Sequence, residues 1–127
     1  MLELGNNVCV STDVVFVTHD HSFYHVYPGH GDLLGKIVIG DNCFIGENAV
    51  IMYGVTLSSN IIVAAGAVVT KSFSQANIII GGNPAKIIGT WEDFLNKNIN
   101  NWFKTKEDLQ NALAQKDDER FIKRKNY

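Results

Sequence analysis

Aliphatic residues recur at every sixth position through the middle of the chain, and a second apolar series stands two places before them. The first series is Ile39, Ile45, Ile51, Leu57, Val63 and Val69, and the second is Ile37, Cys43, Ala49, Val55, Ile61 and Ala67. A helix requires apolar residues every three or four positions, and a half-buried strand requires them every two. An interval of six therefore predicts a short strand followed by a turn, repeated along the chain.

Three such repeats predict one triangular coil, in which each strand hydrogen-bonds to the equivalent strand of the next coil about 4.8 Å along the axis. The thin interior accepts small or medium apolar side chains, and the corners favour residues that form tight turns. Such residues occupy Gly40-Asp41-Asn42, Gly46-Glu47-Asn48 and Ser58-Ser59-Asn60. A meander or sandwich of short strands is the alternative, but its strands are not held to one constant spacing. We expect an all-β solenoid, a parallel β-helix.

The same rhythm extends to the start of the chain and is interrupted once. Leu4, Val10 and Phe16 continue the first series backward, so the first 18 residues predict one further coil. The step from Phe16 to Ile39 is not a multiple of six. Residues 19–36 are therefore predicted to leave the solenoid as a protruding loop, after which the coil resumes in register. Long loops on rigid scaffolds often carry chemistry.

Length and composition predict one soluble domain. With 127 residues, of which 46% are hydrophobic, we expect about four coils over residues 1–89 and a helical extension over residues 90–127. No apolar run is long enough to cross a membrane, and the first residues carry no basic segment typical of a signal peptide. A net charge of −2 and a pI near 6.0 argue against bulk nucleic-acid binding.

The cysteines and the C-terminal region complete this outline. Cys43 is predicted to point inward and Cys9 outward, so no disulfide framework is expected, and a reducing cytoplasm is the simplest location. Thr90–Leu95 opens a helix-like stretch, and Thr105–Asp108 resembles a capping box. We expect this aromatic, helical segment to cover an open end or flank of the solenoid. The basic cluster from Arg120 to Lys125 is expected to be a solvated helix end, with a phosphate contact as the alternative.

The run from Ile37 to Lys86 resembles the hexapeptide-repeat acyltransferases of the left-handed β-helix class. The resemblance rests on the repeats, on Val68-Val69-Thr70-Lys71 and on Gly81-Gly82-Asn83-Pro84-Ala85-Lys86. Val17-Thr18-His19-Asp20-His21 is similar to the active-site loop of the maltose and galactoside O-acetyltransferase branch. The resemblance implies left-handed winding, a homotrimer, and acetyl-CoA in a groove between neighbouring subunits.

In this resemblance His19 matches the catalytic histidine. An acceptor hydroxyl is a poor nucleophile until a base removes its proton, and imidazole is a common base near neutral pH. We expect His19 to be that base and His21 to orient His19 or the acceptor. The implied reaction is transfer of an acetyl group to a hydroxyl of a sugar or surface-polysaccharide precursor. The acceptor itself, and the length of the acyl chain, stay open.

The resemblance also assigns cofactor and acceptor contacts. Small residues at Ala65 and Gly66 allow the pantetheine arm to approach the backbone. Thr70 and Lys71 match a Thr-Lys pair near the nucleotide end. Lys86 matches a basic position that faces the phosphates, and the turn residues Asn83 and Pro84 before it belong to the same motif. Phe44 stands where an aromatic ring can stack over the acceptor pocket.

Other interpretations stay open at this point. The histidines His19, His21, His25 and His30 lie close enough in sequence to ligate zinc, as in the related gamma carbonic anhydrases. Because the segment is interrupted by Pro28, Gly29 and Gly31, we expect no metal. Aminosugar N-acetylation would use the same scaffold, and a non-catalytic β-helix subunit would use the fold alone. Related enzymes carry a segment before this point that has no counterpart here, so either the acceptor is held differently or the chain is truncated.

Overall fold

The computed structural model describes residues 1–124 and is built mainly from very short strands. In chain order the elements are β1 (Leu2–Leu4), β2 (Cys9–Val10), β3 (Val15–Phe16), β4 (His19–Asp20), α1 (Ser22–Val26), β5 (Leu33–Leu34), β6 (Ile37–Ile39), β7 (Phe44–Ile45), β8 (Val50–Ile51), β9 (Thr56–Leu57), β10 (Ile61–Val63), β11 (Val68–Val69), β12 (Ile78–Gly81), β13 (Lys86–Thr90), α2 (Trp91–Asn98), α3 (Lys106–Ala114) and a 3-10 turn (Asp118–Arg120). None of the helices within residues 1–124 is both long enough and apolar enough to span a membrane.

The strands stack in three parallel ladders, one on each side of a prism. The first ladder is β1-β6-β9, the second is β2-β7-β10-β12, and the third is β3-β8-β11. Residues at the same position in the six-residue repeat pair directly between coils. Leu4 pairs with Ile39, and Ile39 pairs with Leu57. The interval of six thus predicted both the strands and their register in this parallel β-helix.

Stacking of equivalent positions produces the core. Every residue of the two series in Ile37–Val69 is at most 2% exposed. Phe73, Ile78 and Ile80 continue this core at spacings that no longer follow the interval of six. The exclusion of so much aliphatic surface from water is the main stabilising contribution to the solenoid.

The first coil pairs as predicted but is less buried than predicted. Its strands β1, β2 and β3 pair with β6, β7 and β8 of the next coil. However, Leu4 and Val10, which continue the first apolar series, are 47% and 40% exposed. The reason is geometric, because among the described residues this coil has a neighbour on one side only. Val14 and Phe16 are half-buried and pack against the core.

The last ladder strand ends in a reversal that the sequence did not predict. The turn after Gly81 leads into β13, which pairs antiparallel with β12, from Gly81 opposite Lys86 to Ile78 opposite Thr90. An antiparallel partner satisfies backbone groups along the outer edge of β12 that would otherwise be unpaired. The predicted packing of the helical segment against the solenoid stays a prediction.

Among the described residues, 92–124 belong to a second compact unit. Thr105 caps α3 by accepting a hydrogen bond from the backbone N–H of Asp108 at 3.1 Å. Arg120, expected to be a solvated helix end, instead donates two hydrogen bonds of 2.8 Å to the Asp108 carboxylate. These bonds are the main reason why the pKa of Asp108 falls to about 2. The expectation for Arg120 was therefore wrong, and Lys125 lies outside the described residues.

Candidate active site

One edge of the solenoid leads into His19 in the first coil and carries Thr70 and Lys71 in the third. It is the edge where the third ladder leads into the first, and its backbone register aligns Phe16 with Ile51 and Val69. Continuing by two residues aligns Thr18, Tyr53 and Lys71 along the axis, and backbone bonds such as Val17 N to Ile51 O at 2.9 Å support this continuation. We call Thr18, Tyr53–Gly54 and Thr70–Ser72 the loop edge.

In the first coil the chain leaves the loop edge and returns to it as a hairpin. β4 and β5 pair antiparallel, with His19 opposite Leu34 and Asp20 opposite Leu33, and α1 lies between them. We call residues 19–34 the His hairpin. The sequence predicted a loop here and gave no indication of its internal ladder. His19 is exposed and immediately follows the loop edge.

The base of the His hairpin is tightly joined to the solenoid. The Gly35 N–H donates to the Thr18 carbonyl oxygen at 3.1 Å, which closes the hairpin. A methyl group added at Gly35 would overlap the backbone nitrogen of Gly54 and lie 2.9 Å from the carbonyl carbon of Tyr53. Only a glycine therefore permits this approach between the two backbones.

Asp20, next to His19, links the hairpin to its own helix and to the solenoid. Its Oδ1 accepts a 2.8 Å hydrogen bond from the Ser22 N–H, and its Oδ2 accepts one of 3.4 Å from the Tyr53 hydroxyl. The Ser22 backbone bond is the largest cause of a lowered pKa for Asp20. Neither Asp20 nor Tyr53 was predicted from the sequence to be a site residue. Their positions could have indicated the contact, because the repeat of the coils places Tyr53 next to Thr18, two residues before Asp20.

His21 has partners within the His hairpin. Its Nδ1 is hydrogen-bonded to Asp32 Oδ1, and its ring stacks on Tyr24 at a centroid distance of 5.1 Å. Within residues 1–124, the side-chain hydrogen-bond partner of His21 is Asp32 and not His19, so the predicted role of His21 toward the acceptor stays a prediction.

The remaining histidines have aromatic neighbours. The His25 ring meets the His21 ring edge-on at 6.3 Å, and the His30 ring stacks on Tyr27 at 3.8 Å. Across residues 1–124, no group of three or more His, Cys, Asp or Glu side chains is arranged to hold a metal ion.

The two predicted phosphate-binding lysines line the same cleft. This cleft, of about 490 Å³, is formed by Lys71, Ser72, Phe73, Ser74, Gln75, Lys86 and Ile87. The Lys71 ammonium also lies 5.4 Å from the centroid of the Phe73 ring. Two ammonium groups and two hydroxyls in one open cleft form a suitable environment for a phosphate. Ser72, Ser74 and Gln75 were not predicted, and their polar side chains alone gave no signal.

The other predicted cofactor residues lie at turns. Thr70 directly precedes Lys71 and is exposed. Asn83 and Pro84 are exposed in the turn between β12 and β13, just before Lys86. Ala65 and Gly66, with φ of +71° at Gly66, are exposed at a different edge, between the second and third ladders. Within one chain they therefore do not share an edge with Lys71.

Phe44 lies on the outer face of the second ladder. It is 43% exposed, and its neighbours in the ladder are Cys9 on one side and Ile62 on the other. An exposed ring beside two apolar neighbours offers a flat surface for a ligand or another subunit. Its position is thus separate from the His hairpin in a single chain, because Phe44 belongs to a side rather than to the loop edge.

Comparisons with known proteins agree with this architecture. A family model described as "Hexapeptide repeat of succinyl-transferase" matches residues 36–71. Protein CapG of Staphylococcus aureus is 43% identical over 110 residues, which cover 84% of this chain and 63% of CapG. Galactoside O-acetyltransferase of Escherichia coli K12 is 33% identical over 86 residues, which cover 67% of this chain and 42% of that protein.

A solved structure also resembles the chain. Galactoside acetyltransferase in complex with coenzyme A superposes with a TM-score of 0.68 and 27% sequence identity, over 83% of this chain and 50% of the other. The present chain thus spans only 42–63% of the length of the two relatives named above.

Proposed function

Because the chain belongs to the hexapeptide-repeat acyltransferase family, we propose that it transfers an acetyl group from acetyl-CoA to a hydroxyl of a sugar acceptor, with His19 as general base. The family implies left-handed winding of the β-helix. The observation that carries the proposal is the common edge of His19 and Lys71. With Tyr53 between them, they are separated by two coil spacings, roughly 10 Å along the axis. Because His19 and Lys71 lie along one line, a single ligand can present its thioester near the imidazole and a phosphate near the ammonium group.

The chemistry at His19 follows from its exposure and position. A neutral imidazole nitrogen takes the proton of the acceptor hydroxyl while the oxygen attacks the thioester carbonyl carbon. The tetrahedral intermediate then collapses, the carbon–sulfur bond breaks, and the imidazolium returns its proton to the leaving thiolate. The products are an acetyl ester and free coenzyme A. His21, held by Asp32, is proposed to contact the acceptor from the same hairpin.

The cleft at the far end of the loop edge is proposed to hold the nucleotide of acetyl-CoA. Lys71 and Lys86 supply positive charge to its phosphates. Thr70, which precedes Lys71, and Asn83 and Pro84, in the turn before Lys86, are proposed to contact the nucleotide as well. Support comes from the galactoside acetyltransferase neighbour, whose structure contains coenzyme A. Ala65 and Gly66, at another edge, are proposed to face the pantetheine arm bound between two subunits.

This arrangement requires more than one chain. We propose a homotrimer, in which the loop edge of one copy faces a side of its neighbour, so that Phe44 reaches the acceptor. The galactoside O-acetyltransferase relative supports a sugar acceptor, and a surface-polysaccharide precursor in the cytoplasm is the form we propose. Residues 1–89, with about four coils, form the catalytic domain in this proposal, and the residues after Gly89 form an extension.

An acceptor screen tests the proposal. Purified protein is incubated with acetyl-CoA and with sugars, aminosugars and small alcohols, and the released thiol is measured. We expect thiol release with at least one sugar, and a product ester that mild base hydrolyses. A base-stable product would establish N-acetylation of an aminosugar instead. Absence of acetyl-CoA binding by calorimetry at millimolar ligand would favour a non-catalytic β-helix.

A further inference from the structure

The position of His19 is determined almost entirely by contacts at the base of the His hairpin. Val17 donates to the Ile51 carbonyl oxygen at 2.9 Å, and Gly35 donates to the Thr18 carbonyl oxygen at 3.1 Å. His19 itself is paired with Leu34 in the short ladder. By contrast, every residue from His21 to Leu34 is exposed. The tip therefore contributes little that could hold the catalytic ring in place.

One side-chain contact joins this base to the next coil. The Tyr53 hydroxyl, on a half-buried residue of the loop edge, donates to Asp20 Oδ2 at 3.4 Å. Asp20 directly follows His19, and its other oxygen holds the Ser22 N–H at the start of α1. The Ser22 bond has the shorter, stronger geometry, and the bond to Tyr53 is long for an O–H donor. Asp20 should therefore matter more than the Tyr53 hydroxyl.

We propose that Asp20 and Tyr53 are positioning residues, which fix the His19 imidazole against the loop edge for attack on the thioester. This inference rests on the proposed function, since His19 gives the position its catalytic meaning. Asp20 sets the direction of the chain as it leaves β4, and Tyr53 ties that turn to the coil beneath. Small displacements of a catalytic group reduce turnover strongly, because reacting atoms must meet within a narrow geometry.

Variants at both positions separate positioning from mere folding. Asp20→Ala is expected to lower kcat by about 100-fold and Tyr53→Phe by about tenfold, because the imidazole is displaced. The KM for acetyl-CoA should change by less than about threefold, since the nucleotide cleft is untouched. Asp20→Asn keeps an oxygen for the Ser22 N–H, so it should recover most of the activity that Asp20→Ala loses.

Tyr27→Phe is the matched control for Tyr53→Phe. It removes one hydroxyl from the His hairpin, but Tyr27 is 56% exposed, its ring stacks on His30, and in the part of the chain that the structure describes its hydroxyl makes no hydrogen bond to the solenoid. Its turnover should equal that of the wild type. Equal loss in Tyr27→Phe and Tyr53→Phe, or wild-type kcat in Asp20→Ala, would overturn the proposal.

A spectroscopic measurement makes the inference independent of the reaction. In proton–nitrogen NMR spectra of the full chain, assigned with His19→Ala, the ring signals of His19 should shift in Asp20→Ala and Tyr53→Phe but not in Tyr27→Phe. If no acceptor is ever acetylated but these signals shift, the proposed function fails while the positioning contact stands. If acetyl transfer is observed and the signals do not move, the positioning proposal fails alone.

Discussion

Two edges of the same prism follow opposite rules. At the edge between the first and second ladders, Asn7, Asn42, Asn60 and Asn77 all adopt left-handed backbone conformations with φ of 54–60°. Asn7 donates to the Asn42 side chain at 2.7 Å, and Asn42 donates to that of Asn60 at 3.0 Å. We call these four residues the asparagine edge. At this edge each coil therefore repeats the asparagine and the left-handed backbone conformation of the previous coil.

At the loop edge no two coils are alike. The first coil leaves it as the His hairpin, the second turns at Tyr53–Gly54 with φ of +79° at Gly54, and the third carries Lys71. Repetition gives every corner a satisfied neighbour, which favours stability. At the loop edge the coils do not repeat one another, so different side chains lie along one line parallel to the axis. The comparison suggests that stability and chemistry are assigned to separate edges of one scaffold.

The largest expected effect is the loss of turnover on replacement of His19, which follows the loop edge. Replacing His19 with alanine should lower turnover by about 10²–10⁴-fold, because the general base is lost. His30→Ala, a control in the same hairpin, should keep wild-type turnover. Thiol release with saturating acetyl-CoA measures both, and circular dichroism checks the fold. Near-normal turnover in His19→Ala would remove the catalytic assignment.

Glycine-to-alanine changes place a similar steric clash on each edge. A methyl group at Gly40 would lie 2.6 Å from the Ser59 nitrogen beside the asparagine edge, and one at Gly35 would overlap the backbone of Gly54 at the loop edge. Each change should lower the free energy of unfolding by about 1–3 kcal/mol. Gly35→Ala alone should also lower kcat of the folded protein.

Urea denaturation at fixed protein concentration, followed by kinetics on the folded fraction, makes this measurement. Equal kcat in Gly35→Ala and the wild type would mean that the loop edge tolerates displacement. That outcome would weaken the division of roles between the two edges.

A smaller effect is expected from the asparagine edge itself. Asn42→Ala should destabilise the protein by about 1–2 kcal/mol, because alanine adopts the left-handed conformation less readily than asparagine. Asn42→Gly removes the side-chain hydrogen bonds but keeps the conformation, so it should cost less. Thermal unfolding compares the two. Both changes remove the side-chain hydrogen bonds, so an equal cost for alanine and glycine would show that these bonds, rather than the backbone conformation, stabilise this edge.

The smallest effect concerns Lys71 in the cleft at the loop edge. Lys71→Ala should raise the KM for acetyl-CoA by about tenfold, the loss of one charge-assisted hydrogen bond. The KM for an acetyl thioester that lacks the nucleotide should not change, which provides the control. Steady-state kinetics at low and moderate salt would measure both. An equal increase for the two thioesters would place Lys71 near the reacting centre instead.

The sequence predicted the repeated part of the fold well, because one period determines strand length, burial and register together. The two series obey that period without exception from Ile37 to Val69, and all of the predicted inward residues in that stretch are buried. The prediction lost accuracy where the period ends. β13 has no counterpart in the earlier coils. Its antiparallel pairing with β12 therefore could not be predicted from the repeat.

The candidate site was only partly predictable for a related reason. His19 and Lys71 were found through resemblance to known motifs, and the structure adds that they share one edge. The Asp20 and Tyr53 contact joins residues 33 positions apart through a hairpin of irregular sequence. Arg120 was misjudged because a cluster of charges in sequence does not reveal that Asp108 lies across from it. Such pairings depend on tertiary geometry, which no local pattern contains.

The His hairpin leaves and rejoins the solenoid at neighbouring points. Residues of the first coil lie 35 positions before their partners in the second coil, as Asn7 does before Asn42. Partners in later coils, such as Asn42 and Asn60, lie only 18 positions apart. The ladders stay in register in spite of this difference. The corner between Thr18 and Gly35 thus accepts an inserted segment without a change in the pairing of the coils. Since closing a longer loop costs little additional entropy, segments of other lengths can be grafted there without disturbing the coils. A change of substrate preference would then require an exchange of the inserted segment and no redesign of the scaffold.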